Sequence, residues 1–447
     1  MHDLKYEDIP NETLETAKQV ILDSYGNLQN GRNSASSEKI IRYAKQLSRD
    51  RIETEKIFRL DDSGEAVIQD MAIFAYSVMG RMADMDDGFT KAMGHPGSFL
   101  VPILLVISKK NNIDGKEMLT SLTAAYDVYA RIGEAVNPFM HRDRGFDATG
   151  VCGAIAAAAL IARLWKADLD ILENSMGIAA TFSGGLIECQ NDGTSGKYLC
   201  GAWAAANGLQ AVRLGMNGFS GPAEALEGKS GLFQGFCGNR GYDSSKVLDG
   251  IGTYFKINEI YFKRYACLRG LHATMDAIAE IMNEHDLQEK NIVSVEIRAS
   301  KFLLRLSRPA PKTLVSAQGS LQMGAAIIIK YGHLKTEKFL KECMDDPEIH
   351  RVMKKIHVVE DAGQQAYLEQ HPSYFSASKV VIHTEEGMCF EKFKALPDGE
   401  SREERFGWDV LEEKFRWLSD KMPYQVQDAY IGKIKELDRE SYRLEFV

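Results

Sequence analysis

The chain contains 447 residues, of which 45% are hydrophobic and 26% are charged, and its formal net charge is -9. These proportions are typical of a globular protein, and the length allows two or three domains. The acidic balance argues against nucleic acid or an anionic membrane as a partner, because both require a basic surface. The sequence has neither a charged and apolar leader nor a run of about 18 apolar residues, so we expect a cytoplasmic protein without a membrane span.

Helical periodicity dominates the first 262 residues. Residues 11–28 place apolar side chains on one face and open with a capping-box pattern at Asn11, which predicts an amphipathic helix. Further helices are predicted at 37–47, 66–82, 99–109, 115–131, 149–165 and 202–215. The stretch 149–165 is rich in glycine and alanine, and such small side chains permit close approach of helices in a buried bundle.

The pattern changes between residues 263 and 397. Residues 292–299 alternate with period two and predict a strand, whereas 379–384 and 388–390 predict a hairpin around Glu386-Gly387. Helical patterns return at 409–421 and 426–437. We therefore predict a helical domain over 1–262, an α+β domain over 263–397, and a return to the helical domain over 398–447.

The cysteines are scattered, with no C-x-x-C pair and no short spacing to a histidine; they are Cys152, Cys189, Cys200, Cys237, Cys267, Cys343 and Cys389. An odd number without framework spacing is typical of reduced thiols in a cytosol. The pattern argues against a zinc or iron-sulfur site, so we expect no metal and no cofactor. Clustered aspartates leave one exception open, since hard cations prefer oxygen ligands.

Three aspartates, Asp84, Asp86 and Asp87, lie just before His95 and an apolar run. Carboxylates this close cannot all ionise independently once buried, and histidine changes charge near neutral pH, so the group is typical of a proton-transfer site. Pro96 restricts the backbone of His95 and thereby the direction of its imidazole. The alternative is a solvated acidic loop between two helices.

Four further blocks follow the aspartates in a fixed order. Residues 126–133 read YDVYARIG, residues 145–153 read GFDATGVCG, residues 196–199 read GKYL, and residues 262–277 read FKRYACLRGLHATMDA. Together with the aspartate segment, these blocks resemble the MmgE/PrpD family, which includes 2-methylcitrate dehydratases, cis-aconitate decarboxylases and an iminodisuccinate epimerase. The resemblance covers nearly the whole chain.

The chain departs from the family pattern at several positions. Asp147 and Cys200 stand where the family usually has histidine, and Gly88 stands where it has threonine. Residues 320–323 read SLQM instead of Ser-Leu-Pro-Tyr, and one extra residue separates the acids from His95. Because these positions belong to the pocket in relatives, the resemblance implies a retained fold and leaves the substrate open.

The resemblance implies a mainly α fold, in which a large all-helical domain carries a smaller α+β lid domain with the active-site cleft between them. It also implies a homodimer formed through the helical domain. The substrate would be a small anionic carboxylate, held by local positive charge.

The same resemblance suggests which side chains form the site. As catalytic residues we expect His95 as a general acid or base, Asp84 to orient or tune it or to bind a substrate hydroxyl, and Lys263 to hold a substrate carboxylate. The further substrate-binding candidates are Asp87, Lys197, Arg269, His272, Asp147 and Cys200.

Several of these residues have a simpler structural alternative. Lys197 is equally consistent with a solvated loop lysine, and Lys263 and Arg269 with a charged helix face on which Arg264 is exposed. His272 lies on an apolar helix face and is often a core residue in such a place. Asp86 and Asp87 are also compatible with a structural role at a helix end.

The leading functional hypothesis is a cofactor-independent lyase, similar to 2-methylcitrate dehydratase, that removes a proton next to a carboxylate and releases water. The second hypothesis is an isomerase or epimerase of a succinate-like substrate, and the third is decarboxylation of a cis-aconitate-like acid. A non-enzymatic binding protein is the remaining alternative, which turnover of any candidate acid would exclude.

Overall fold

The computed structural model describes residues 2–51, 56–239, 241–400 and 404–439. This part of the chain is mainly helical, with a small sheet region. Up to residue 262 its helices and strands are α1 (Asn11–Arg32), α2 (Glu38–Ser48), β1 (Lys56–Arg59), β2 (Ala66–Ile68), α3 (Gln69–Met82), α4 (Gly97–Asn111), α5 (Gly115–Val136), α6 (Phe139–Arg142), α7 (Ala148–Leu164), α8 (Leu169–Thr181), α9 (Glu188–Asn191), α10 (Cys200–Met216), α11 (Leu232–Cys237) and α12 (Ser245–Leu248).

The later elements alternate helices with the strands of a second sheet. They are α13 (His272–Glu284), β3 (Ile292–Ala299), α14 (Lys301–Leu304), α15 (Leu314–Gln318), α16 (Leu321–Tyr331), α17 (Glu337–Met344), α18 (Pro347–Met353), β4 (Ile356–Glu360), α19 (Ala362–Gln370), β5 (Ser378–Thr384), β6 (Cys389–Lys394), α20 (Trp408–Leu418) and α21 (Tyr424–Lys435). None of the described helices combines the length and hydrophobicity needed to cross a bilayer.

The helices predicted in the first 262 residues are present, most of them with ends shifted by a few residues, and two differences concern the start of a helix in particular. Helix α1 begins at Asn11, but its N-cap residue is Pro10 and no side chain caps it, so the predicted capping box is wrong. Residues Ala66–Ile68 form β2, paired with β1, and α3 begins only at Gln69. Strand pairing is a tertiary contact, which the local helical periodicity of this segment does not contain.

Helices α7 and α10 pack closely because both are rich in small residues. A Cβ atom added at Gly208 in α10 would lie 2.6 Å from the Cβ of Ala157 and 2.7 Å from the backbone nitrogen of Ala158 in α7. At such distances the backbone of α7 occupies the space that a side chain at Gly208 would need. The close helix approach predicted for 149–165 is confirmed.

Gly208→Ala is expected to lower the free energy of unfolding by about 1–3 kcal/mol, because the added methyl group pushes α7 and α10 apart. Gly432→Ala is the matched control, since Gly432 also lies inside a helix, α21, and its added Cβ would have no atom within 4 Å. The control should be neutral or more stable by up to about 1 kcal/mol. Urea unfolding checks both; equal stability of the two variants would contradict the packing described.

The second sheet has the strand order β4-β3-β5-β6. Strand β3 pairs parallel with β4 and antiparallel with β5, and β5 pairs antiparallel with β6. The strand predicted at 292–299 and the hairpin predicted around Glu386-Gly387 are therefore confirmed. Strand β4 was not predicted, because its half-exposed side chains show no clean alternation.

Buried apolar side chains form two clusters. The larger contains side chains of the helices before residue 262 and of α20 and α21, and the smaller contains β3, β5, α13 and α16. Met82 and Phe89 belong to the larger cluster, whereas Ala83 and Met85 belong to the smaller. The aspartate segment therefore lies where the two clusters meet. The domain boundaries given above stay a prediction.

Candidate active site

The aspartate segment between α3 and α4 is buried rather than solvated. Asp84, Asp86 and Asp87 are each 0% exposed. Neighbouring elements hold the segment in place: Gln318 donates a hydrogen bond to the carbonyl of Met82 at 2.8 Å, and Lys414 donates one to the carbonyl of Met85 at 2.7 Å. The solvated-loop alternative is therefore wrong, and three acidic side chains require partners inside the protein.

Asp84 is the centre of a buried ion-pair group. The Nζ of Lys197 lies 2.6 Å from one of its carboxylate oxygens, and the Nζ of Lys263 lies 2.7 Å from the other. Burial alone would raise the pKa of Asp84, but Lys197 and Lys263 outweigh it and hold that pKa well below its usual range. Both lysines are themselves buried, so neither is the solvated or helix-surface cation of the simpler alternatives.

Arg81, at the end of α3, joins a second acid to this group. Its Nη1 lies 2.6 Å from Asp86 and 4.0 Å from Asp84. We call the five side chains Arg81, Asp84, Asp86, Lys197 and Lys263 the buried charge network. Counted formally, its three basic and two acidic side chains give the network one excess positive charge.

His95 is held by the backbone of the aspartate segment. Its Nδ1 lies 2.8 Å from the carbonyl oxygen of Asp87 and 3.6 Å from a carboxylate oxygen of Asp86. A carbonyl can only accept, so Nδ1 carries the hydrogen and Nε2 presents its lone pair. Burial, together with Arg81 and Lys263, holds the pKa of His95 well below its ordinary value, so the ring is neutral at pH 7.

The expected contact between Asp84 and His95 is not formed. Both oxygens of Asp84 are bound by lysines, and the Asp87 carbonyl orients the imidazole instead. Asp84 acts on His95 only through its charge, which favours the protonated ring. Lys263 likewise binds Asp84 in this structure, so its role as a holder of substrate carboxylate stays a prediction.

Asp87 bridges two helices. One carboxylate oxygen accepts the N–H of Gly97, the first residue of α4, at 2.9 Å, and the other accepts the hydroxyl of Tyr126 in α5 at 2.8 Å. This agrees with the structural alternative at a helix end. Burial raises the pKa of Asp87 to about 8, with Asp23 and Asp86 adding to the rise and Tyr126 opposing it.

Because the folded pKa of Asp87 is about 8 and the unfolded value is about 3.9, Asp87 binds a proton in the folded state that the unfolded chain releases. The stability that this proton contributes to the wild-type protein is fully present below about pH 3.9 and is lost as the pH rises to about 8. The asparagine of Asp87→Asn has a similar shape and does not titrate. The free energy of unfolding of the variant, measured relative to that of wild type, should therefore increase between pH 5 and pH 9. Thermal unfolding at several pH values tests this; a constant difference would contradict it.

Gly88 explains one departure from the family pattern. A Cβ atom at this position would lie 2.3 Å from the hydroxyl oxygen of Tyr261. The backbones of Gly88 and Tyr261 also form an antiparallel bridge, so neither can move aside easily. Tyr261 therefore occupies the space that a threonine side chain would need.

A cavity of about 110 Å³ borders this group. Its polar lining consists of Arg81, Thr90, His95, His141, Asp147, Gln190, Tyr261 and Arg269. Its apolar lining consists of Met93, Leu268, Phe302, Leu306 and Phe375. The volume lies below the roughly 300 Å³ at the lower end of drug-sized pockets, so the cavity admits only a small molecule. Lys197, Lys263 and Asp84 lie outside this lining, and Arg81 is the member of the buried charge network that borders the cavity.

Arg269 lines the cavity but is already paired. Its Nε lies 2.7 Å from a carboxylate oxygen of Glu400, and its guanidinium lies 4.3 Å from the centre of the Tyr261 ring. Its Nη1 lies 3.1 Å from the Nδ1 of His272. His272 is buried outside the cavity lining, and burial with the charges of Arg269 and Lys263 holds its pKa well below normal. The position of His272 agrees with the core alternative.

The two positions where histidine is replaced differ in their placement. Asp147 lines the cavity and is the N-cap of α7, where its Oδ1 accepts the N–H of Thr149 at 2.8 Å. Cys200 is the first residue of α10 and lies outside the cavity lining. A hydrogen bond with Cys189, together with burial, raises the pKa of Cys200. The roles of both residues in binding stay predictions.

Sequence reasoning missed five polar residues of the lining, namely Arg81, Thr90, His141, Gln190 and Tyr261. Arg81 precedes Asp84 by three residues and Asp86 by five, a spacing that could have pointed to it. His141 and Gln190 lie outside the blocks quoted above, and nothing local distinguishes them. Among the described residues, no group of three His, Cys, Asp or Glu side chains could hold a metal ion.

Both halves of the chain match domain models of one protein family. The MmgE/PrpD N-terminal domain model matches residues 1–245, and the MmgE/PrpD C-terminal domain model matches residues 265–437. The cis-aconitate decarboxylase-like protein oryM of Aspergillus oryzae is 24% identical over 419 residues, which are 89% of this chain and 84% of that protein.

Two further relatives are cis-aconitate decarboxylases. The enzyme of Aspergillus terreus is 24% identical over 419 residues, which are 89% of this chain and 83% of that protein. The enzyme of Mus musculus is 23% identical over 369 residues, which are 80% of this chain and 73% of that protein. These identities support a lyase function at the level of the family and leave the substrate and the reaction open.

Proposed function

Since the chain belongs to the MmgE/PrpD family, we propose that it is a cofactor-independent lyase acting on a small di- or tricarboxylate, in the manner of a 2-methylcitrate dehydratase. The active-site cleft of this proposal is the cavity lined by His95 and Arg81. One side of it is lined by residues between 81 and 261 and the other by residues between 268 and 375, which this proposal takes as the α+β lid.

The observation that most strongly supports the proposal concerns Arg81. Arg81 lines the cavity, is buried, and has an Nε atom without a hydrogen-bond partner among the described residues. A buried donor without a partner is costly, and a carboxylate of the substrate would satisfy it. The excess positive charge of the buried charge network favours the same anion.

The neutral imidazole of His95 supplies the base. Its Nε2 lone pair takes the proton from the carbon next to a substrate carboxylate, while Arg81 stabilises the negative charge that develops on that carboxylate. The carbon-oxygen bond then breaks, and the leaving hydroxide takes up the proton held by Nε2 and departs as water, which returns His95 to its neutral form. Asp86 and the carbonyl of Asp87 keep Arg81 and His95 in position.

Two alternatives have an observation in their favour. The named relatives are cis-aconitate decarboxylases or similar to them, which favours loss of carbon dioxide from a cis-aconitate-like acid. Two imidazoles, His95 and His141, border one cavity, which favours proton removal and return by an isomerase or epimerase of a succinate-like substrate.

Product NMR in deuterated water separates these reactions. The panel consists of 2-methylcitrate, citrate, cis-aconitate and malate. A dehydratase gives an alkene signal, a decarboxylase gives a product one carbon shorter, and an epimerase incorporates deuterium without net elimination. Neither turnover nor deuterium exchange with any di- or tricarboxylate, from a folded protein, would overturn the proposal and favour a binding protein.

We also propose that the chain forms a homodimer through its helical domain. Large apolar side chains are exposed on α10 and on the segment after α8, among them Trp203, Phe182 and Leu186. Light scattering at micromolar concentration should give about twice the mass of 49.9 kDa. A monomeric mass would contradict the proposal. The cytoplasmic location expected from the cysteine pattern stays a prediction.

A further inference from the structure

The cavity contains a second imidazole that the reaction above does not use. His141 lies in the short helix α6 and lines the cavity together with His95 and Asp147. Its Nδ1 is buried and forms no hydrogen bond among the described residues, while the backbone of Phe146 lies near enough to the ring to oppose the lowering of its pKa. Most buried polar atoms in folded proteins have a partner, so an exception at the wall of a cavity requires an explanation.

The backbone around His141 is held on both sides. The N–H of His141 donates to the side-chain oxygen of Asn137 at 3.1 Å. The neighbouring Arg142 donates to the carbonyl of Pro372 at 2.5 Å, and its guanidinium lies 5.0 Å from the centre of the Phe302 ring. The backbone that carries the imidazole is therefore fixed by Asn137, and the neighbouring Arg142 connects it to the segments that carry Pro372 and Phe302.

Other polar side chains of the lining have hydrogen-bond partners within the protein. His95 uses Nδ1 on the carbonyl of Asp87, Asp147 accepts the N–H of Thr149, and Arg269 binds Glu400. Arg81 binds Asp86 and has a buried Nε atom without a partner among the described residues. His141 and Arg81 are thus the two lining residues with an unpartnered buried nitrogen, and one bound acid with two oxygen-bearing groups could satisfy both.

We propose that His141 is a substrate-binding residue whose Nδ1 forms a hydrogen bond with an oxygen atom of the bound carboxylic acid. The inference rests on the proposed function, because it takes the cavity as the substrate site. In this arrangement Arg81 binds one oxygen-bearing group of the acid and His141 binds a second one. His141 therefore helps to select di- or tricarboxylates over monocarboxylates, which cannot reach both nitrogens.

Two substitutions of His141 distinguish a hydrogen bond to the substrate from a role in packing alone. His141→Asn places a polar atom close to the position of Nδ1, whereas His141→Leu keeps much of the volume and removes it. Burial lowers the pKa of His141, against the opposing charge of Asp147, so the neutral asparagine also matches its charge. His141→Leu should raise KM about tenfold or more, as for a lost hydrogen bond to a charged group. His141→Asn should restore most of this loss.

The direct measurement is NMR of the protein labelled with carbon-13 at histidine Cε1, with each acid of the panel above as the probe. The His141→Asn and His95→Asn variants assign the two signals, and His357, which is exposed on β4, is the internal reference. We expect both the His95 and His141 signals to shift on addition of the acid that binds, while the His357 signal stays in place.

The outcomes separate the inference from the proposed function. A shift of the His95 signal without a shift of the His141 signal overturns the inference and leaves the proposed function in place. Equal KM values for His141→Leu and wild type overturn it as well. If no acid shifts either signal, the cavity is not the site of a di- or tricarboxylate, and the proposed function and the inference fail together.

Discussion

His95→Asn is expected to lower kcat by about two to four powers of ten, the usual effect of losing a general acid or base, with a modest change in KM. Asparagine places its side-chain nitrogen near the position of Nδ1, so the hydrogen bond to the carbonyl of Asp87 is kept while Nε2 is lost. The variant therefore removes the proposed base without releasing the aspartate segment. Steady-state kinetics with the acid identified by the panel measures both constants.

His357→Asn is the control for this experiment. His357 is exposed on β4 and lies outside the cavity lining, so its replacement should leave the rate of deuterium exchange into substrate within a few-fold of wild type. Exchange by the His95→Asn enzyme should fall with kcat, because proton removal is the step that depends on Nε2. Exchange as fast as in wild type would exclude His95 as the base and transfer that role to Lys263 or to the aspartates.

The fold was largely predictable because its signals are local or repeated. Long apolar periods marked the helices, and alternation marked β3 and the hairpin of β5 and β6. Strand β2 was mistaken for the start of α3, since its pairing with β1 is a contact between segments and not a property of either one. The missed strand β4 depends in the same way on β3, its parallel partner.

The roles of the predicted site residues stay predictions, but the structure does show which of these residues lie close together. Asp84, His95, Lys197 and Lys263 do come together, as the order of the blocks implied. Which oxygen pairs with which nitrogen depends on distances of a few ångströms, and these follow from the packing of α3, α4 and α10. For this reason Asp84 was expected beside His95, whereas it binds the two lysines.

His141 shows where sequence reasoning ends. The chain lacks the histidine that the family pattern places at Asp147, and an imidazole nevertheless reaches the same cavity from a residue six positions earlier. A pattern compares residues at fixed positions and cannot find a side chain that enters a site from a different position. The contribution of His141 to the cavity is visible only in the three-dimensional structure, where α6 lies beside the cavity.

The buried charge network predicts a large loss of stability when its central acid is removed. Asp84→Asn leaves Lys197, Lys263 and Arg81 facing Asp86 alone, so the excess charge rises from one to two inside the protein. We expect the free energy of unfolding to fall by about 3–5 kcal/mol, as when one partner of a buried ion pair is removed. Lys263→Met should cost less, because Asp84 keeps Lys197 at 2.6 Å and the network becomes neutral.

Urea unfolding of Asp84→Asn, Lys263→Met and the double variant measures the coupling between the two residues. The double variant should be more stable than the sum of the single losses implies, because each substitution removes the charge that the other leaves unpaired. Lys338→Met is the matched control: its partner Glu342 lies 4.0 Å away, both side chains are exposed, and the loss should stay below about 1 kcal/mol. Additive losses for Asp84 and Lys263 would show that the two side chains do not stabilise each other, and would contradict the ion pair described.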